Sequence, residues 1–196
     1  ASETFEPDLG FSVVSADAGR RLGKQTVWVQ DQAQAAAANE RVRNLLAAKY
    51  IGADAAVQVA LLSNKTLQAD YAEVGLSVAE LWQEGLPVNP RLSLSYSGIG
   101  VGRTIEGLIA ANIIRMMTRD RRLDVAEVRV LQAQLRAVDA TLALAARTRE
   151  AWIEAVAAWE TVAYLNRAKV AADAAAELAS ELGRTGAMPK VEQARE

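Results

Sequence analysis

Residues 123 to 182 read LDVAEVRVLQAQLRAVDATLALAARTREAWIEAVAAWETVAYLNRAKVAADAAAELASEL. They lie inside a longer stretch, 108 to 182, that contains neither Gly nor Pro. Ala, Leu, Glu, Gln and Arg dominate it, the residues that lose least on entering a helix. Val128, Leu131, Leu135, Val138, Leu142, Ala145, Arg149, Trp152, Val156, Trp159 and Ala163 step through it by alternate threes and fours, and only Arg149 interrupts the apolar run. That is the 3.5-residue repeat of a helix that supercoils against neighbours. At 1.5 Å per residue such a helix is about 90 Å long. A compact chain of 196 residues is only about 40 Å across. The helix does not fit inside such a body, and the sequence predicts an elongated, mainly α molecule.

Upstream, Val57, Leu61, Asn64, Leu67, Tyr71, Val74, Val78 and Leu81 form a second seam of the same kind. It predicts a helix over 53–84, with Asp54 as its N-cap. Asn64 and Arg149, the polar members of the two seams, read as positions that set register or meet solvent. Trp152 and Trp159, seven residues apart on one seam, read as core. Pro87 and Pro90, in the run Gly85-Leu86-Pro87-Val88-Asn89-Pro90, stop the first helix because each disfavours helix in the residue before it. Leu92, Leu94 and Tyr96 then alternate with Ser93, Ser95 and Ser97, which is strand period. Gly98, Gly100 and Gly102 mark a turn. The segment around Ile105, Ile109 and Ile113 fits a strand or a helix equally well. The strand region as a whole is 91–113, and the long helix is placed at 120–182.

The two ends are less regular. Residues 1–51 read as a peripheral segment, without sustained period over Ser2 to Gln30 and with a short helix over Ala33 to Tyr50. Gly183 to Pro189 is a turn whose Gly and Pro chemistry ends the long helix. Residues 190–196 open another helix, so the chain is expected to be a fragment.

Composition removes several function classes. There is no His and no Cys, which leaves no imidazole base, thiol nucleophile, disulfide or Cys/His zinc site within these residues. No Gly-rich phosphate loop, nucleophile elbow or metal-ligand spacing occurs. Glu73, Glu80 and Glu84 can be paired on paper but fall on exposed helix faces, where charge serves solvation. No catalytic residue, cofactor or metal is therefore expected. The formal net charge of −2 argues against nucleic acid. The most apolar run, Gly107 to Met117, is too short to cross a bilayer as a helix. Arg115, Arg119, Arg121 and Arg122 form a basic cluster near the start of the long helix, read as a solvated face or, alternatively, as a contact for lipid headgroups.

The order is helix, Pro-x-x-Pro break, alternating strand, Gly turn, second short segment, very long helix, Gly turn, helix start. With the quoted motifs, it resembles one repeat of the TolC-like outer membrane factors, the exit ducts of tripartite efflux pumps and type I secretion systems. Ala53-Asp54-Ala55-Ala56-Val57 through Ala60-Leu61, Asn64, Leu67 and Ala69 resembles the family's opening helix, and Gly85 to Pro90 its helix-to-strand step. Gly186, with Glu192-Gln193-Ala194-Arg195 after it, resembles its periplasmic tip. The resemblance covers 52–196, as one repeat where family members carry two. It implies long antiparallel coiled-coil helices with two short β-strands, part of an α-barrel/β-barrel duct. Leu92, Leu94 and Tyr96 would face lipid. Gly183, Arg184, Thr185, Gly186, Lys190 and Glu192 would form the tip that meets a periplasmic adaptor protein. The implied function is a passive exit duct in the outer membrane of a Gram-negative bacterium, a homotrimer working with an adaptor and an inner-membrane pump. The alternative is a soluble periplasmic helical hairpin acting as an interaction or scaffold protein.

Overall fold

The computed structural model describes residues 8–86 and 117–186. Among them every regular element is a helix: α1 (Phe11–Leu22), α2 (Gln32–Leu46), α3 (Ala53–Ser63), α4 (Lys65–Gly85) and α5 (Arg119–Arg184). The protein is mainly α. The strand region 91–113 lies outside the described residues, together with Pro87, Pro90, Leu92, Leu94 and Tyr96. The chain divides into two units, Ala1–Thr148 and Arg149–Glu196.

In the first unit, α4 and the first part of α5 run antiparallel. Glu84 pairs with Arg122 at 2.7 Å and Glu73 with Arg136 at 3.7 Å, so positions climb in one helix as they fall in the other. Val57, Leu61, Leu67, Tyr71 and Val74 pack with Ala133, Ala137, Val138 and Ala145 in one core. The face that α5 turns inward is mostly alanine, Ala126, Ala133, Ala137 and Ala145, with Thr141 fully buried among them. Small side chains let two helix axes approach closely. The bulky seam read from the sequence is therefore split. Val138 is buried, whereas Val128, Leu131 and Leu135 are 64%, 54% and 61% exposed.

The helix expected over 53–84 is two helices. Asn64 is extended (φ −74°, ψ 115°), ends α3 and caps α4, its side chain accepting from the Leu67 N–H at 2.9 Å. Two consecutive steps of three, Leu61 to Asn64 to Leu67, are the cause. A continuous helix would carry the apolar stripe off its face there, and the restart at Asn64 resets the phase. Asp54 is not the cap of α3. Gly52 occupies that position, and Asp54 sits in the first turn, 3.4 Å from the Lys24 ammonium.

The N-terminal region is part of the core rather than peripheral to it. Phe11 and Val14 of α1 join the cluster, and the Phe11 ring lies 4.7 Å from Tyr71 and 6.1 Å from Trp28, tilted in both cases. The apolar positions Phe11, Val14 and Ala18 fit a helical face, but three residues are too few to register as a period. Asp8 starts α1 by accepting from the Ser12 N–H at 2.7 Å and the Gly10 N–H at 3.3 Å. Hydrogen bonding from Ser12 holds its carboxyl below the usual carboxylate range, against the opposing effect of burial. Asp31 caps α2 through the Gln34 N–H at 2.7 Å. That helix stops at Leu46, so Tyr50 lies beyond it and is 81% exposed.

Between α1 and α2 the chain is extended, and two glutamines hold it. Gln58 accepts from the Gln25 N–H at 3.1 Å and donates to the Gln25 carbonyl at 2.8 Å. Gln68 accepts from the Val29 N–H and donates to the Val27 carbonyl, both at 2.8 Å. Each side-chain amide thus does for the segment what a neighbouring strand would do.

In the second unit α5 continues to Arg184. Ile153, Trp159, Val162, Tyr164, Leu165, Val170 and Leu178 are all more than half exposed. Trp159 does not sit in a core, as the seam reading had it. Among the described residues of this unit α5 is the sole helix, and Ala179, at 5% exposure, is its buried apolar position.

Candidate functional site

The proposed tip residues fall at the end of α5. Gly183 and Arg184 are still helical, so the helix runs past Leu182 and Gly183 is not its stop. The stop is Gly186, in the left-handed region at φ 76°, where a Cβ would be strained. Its N–H donates to the Gly183 carbonyl at 3.3 Å, and the Thr185 N–H donates to the Glu181 carbonyl at 3.0 Å. This is the glycine C-cap geometry that satisfies the last carbonyls of a helix. The Thr185 hydroxyl donates to the Leu182 carbonyl at 3.1 Å, and Arg184 pairs with Glu181 at 2.9 Å. The Arg184–Glu181 pair is three-quarters exposed on the arginine side, so it contributes little to stability. Lys190 and Glu192 lie outside the described residues.

Of the basic cluster, Arg119 and Arg122 close the helical pair, and Arg115 lies outside the described residues. Arg119 donates to the Gly85 carbonyl at 2.8 Å, at the last residue of α4. Arg122 donates to Glu84 at 2.7 Å. These two arginines tie the end of α4 to the beginning of α5, a role that sequence spacing alone did not reveal. The signal was available in Glu84 and Gly85, which face the cluster once the chain doubles back.

A further feature escaped the sequence reading. A groove of about 460 Å³ lies between the extended segment and α2. It is lined by Thr26, Val27, Trp28 and Gln30 of the segment, by Gln34, Ala37, Ala38 and Arg41 of α2, and by Asp8 and Phe11 at the start of α1. The Arg41 guanidinium donates to the Gln25 side-chain carbonyl at 3.3 Å and makes no ion pair among the described residues. The hint in the sequence was the pair Gln58 and Gln68, polar residues flanking an apolar seam with no charge to explain them.

Among the described residues there is no cluster of three or more side chains able to hold a metal, and no helix long and apolar enough to cross a membrane. Set against protein-family models, curated proteins and solved structures, the chain has no match.

Proposed function

We propose that this chain is a repeat of an outer membrane efflux or secretion duct of the TolC-like kind, and not an enzyme. One observation carries the reading. An unpunctuated helix, α5, packs on α3 and α4 through alanines and keeps a second apolar face, Val128, Leu131 and Leu135, turned outward. A helix with two such faces is what the wall of a closed ring of helices requires, since each member must meet a neighbour on either side. In this reading residues 91–113 supply two barrel strands, with Leu92, Leu94 and Tyr96 toward lipid. The turn carrying Gly183, Arg184, Thr185 and Gly186, with Lys190 and Glu192 after it, meets a periplasmic adaptor. The duct is a homotrimer and draws its energy from an inner-membrane pump.

The test is to express the complete gene product in a Gram-negative host and fractionate the membranes. The expected result is outer membrane protein that needs detergent and scatters light as a trimer. A monomer that stays in solution without detergent would overturn the duct and favour the soluble helical hairpin. The tip assignment is checked separately by site-specific photo-crosslinking from position 185, which should capture an adaptor only when the pump operon is co-expressed.

A further inference from the structure

The extended segment between α1 and α2 uses only one of its two edges. The groups bonded by Gln58 and Gln68 are the Gln25 N–H and carbonyl, the Val27 carbonyl and the Val29 N–H. They belong to alternate residues, and in an extended chain alternate residues point their backbone groups to the same side. The N–H and carbonyl groups of Thr26 and Trp28 therefore point to the opposite edge. No hydrogen bond joins them to any partner among the described residues. Beyond the segment, the Gln30 N–H is already taken, by the Gln34 side chain at 2.9 Å. The open length is thus Thr26 to Trp28, and these residues line the groove that faces α2.

We propose that this groove binds an extended peptide segment of another polypeptide, which adds as a strand to the Thr26–Trp28 edge and lies between it and α2. Backbone groups of the segment satisfy the peptide by the alternating hydrogen bonds of strand addition. Side chains on one face of the peptide rest on Phe11, Trp28, Ala37 and Ala38, which selects apolar residues. Arg41 makes no ion pair among the described residues, and the carboxylate that lines the groove, Asp8, is occupied by the Gly10 and Ser12 N–H groups, so an acidic peptide residue is selected within reach of the Arg41 guanidinium. The ligand class is therefore an extended sequence alternating apolar and acidic residues, without Pro where an N–H must be given. The inference uses only residues 8–68 and stands or falls independently of the duct reading.

The experiment uses the full chain and a fluorescein-labelled peptide of about seven residues that alternates Val and Glu, read by fluorescence anisotropy. Saturable binding is expected below about 1 mM, the weak end of specific recognition. Two further peptides are N-methylated at alternate residues, one in each phase. At least one of them should bind roughly tenfold more weakly, because it can no longer give its N–H groups to the edge. Arg41→Gln should weaken the Val/Glu peptide severalfold, and a Val/Lys peptide should bind more weakly than either. Ala37→Trp fills the groove from an exposed position on α2 and should abolish binding, with circular dichroism and thermal melting unchanged. Absence of saturable binding overturns the proposal. So does binding that neither N-methylated peptide loses, or binding that survives Ala37→Trp, since either would mean adhesion elsewhere on the surface.

Discussion

The Tyr71 hydroxyl lies 2.9 Å from Thr141 Oγ1, and both groups are fully buried. Thr141 already donates its proton to the Ala137 carbonyl at 2.7 Å, so in this pair Tyr71 is the donor. The result is a relay from tyrosine to threonine to backbone, set across the alanine face between α4 and α5. Removing the acceptor alone strands a buried donor. Thr141→Val should cost about 1–3 kcal/mol. Tyr71→Phe leaves Thr141 satisfied by Ala137 and should cost about 1 kcal/mol. The double variant should be less destabilised than the sum of the two, a coupling that urea unfolding of all four proteins would measure. Strict additivity would mean that the two hydroxyls do not interact.

The same tyrosine gives the protein a pH signature. Burial raises the Tyr71 pKa above its ordinary 10.0. Unfolded tyrosine gives up its proton near that pH, while the buried one keeps it. Above pH 10.0 the unfolded state therefore binds fewer protons, and stability falls as pH climbs through the folded value. Below that window the contribution is complete. Thermal melts of wild type and Tyr71→Phe should accordingly converge as pH rises above 10, from a gap that is constant at neutral pH. A gap that widens with alkali would contradict the burial.

Gly75 should resist replacement in spite of its place inside a helix. A Cβ there would overlap the Trp28 ring and come within 3.3 Å of the Leu9 side chain. Gly to Ala in a helix ordinarily gains about 1 kcal/mol. Here the overlap with a rigid indole should outweigh that gain and leave Gly75→Ala about 1–3 kcal/mol less stable. Combining it with Trp28→Leu should recover part of the loss, as read by denaturant midpoints.

Gln68 is predicted to matter through both ends of its amide. Gln68→Glu keeps the acceptor for Val29 but replaces the donor with a carboxylate oxygen facing the Val27 carbonyl. The segment should loosen there, and amide exchange at Val29 should accelerate while that of Leu61 in the core is unchanged. Gln68→Ala should show the same exchange pattern. Equal protection in all three proteins would mean that the clasp is not what holds the segment.

Legibility of the sequence followed the length of the pattern. Residues 119 to 184 repeat one rule many times, and their helix could be read directly. The seam of 53–84 was visible as well, yet its break was hidden in a single detail, the two steps of three at Leu61, Asn64 and Leu67. The N-terminal region offered only Phe11, Val14 and Ala18, and its place in the core depends on tertiary contacts with Tyr71 and Trp28. The inward face of α5 was misjudged for a physical reason. Large residues attract attention as core, but the contact is made by alanines, whose value lies in how near they let two backbones come. The groove was hinted at only by Gln58 and Gln68, because its shape depends on where those side-chain amides hold the extended segment.

The restart at Asn64 bears on how the molecule responds to force. A helix resists bending through its ladder of backbone hydrogen bonds, and here the ladder is interrupted: Asn64 keeps its own rungs to Ala60 and Gln68 at 3.0 and 3.2 Å, but the Leu67 N–H turns to the Asn64 side chain. Its partner α5 has no such gap. Lateral load on the pair would concentrate at one residue of one helix, and an asparagine, whose side chain re-forms the cap at modest cost, is suited to being that yielding joint.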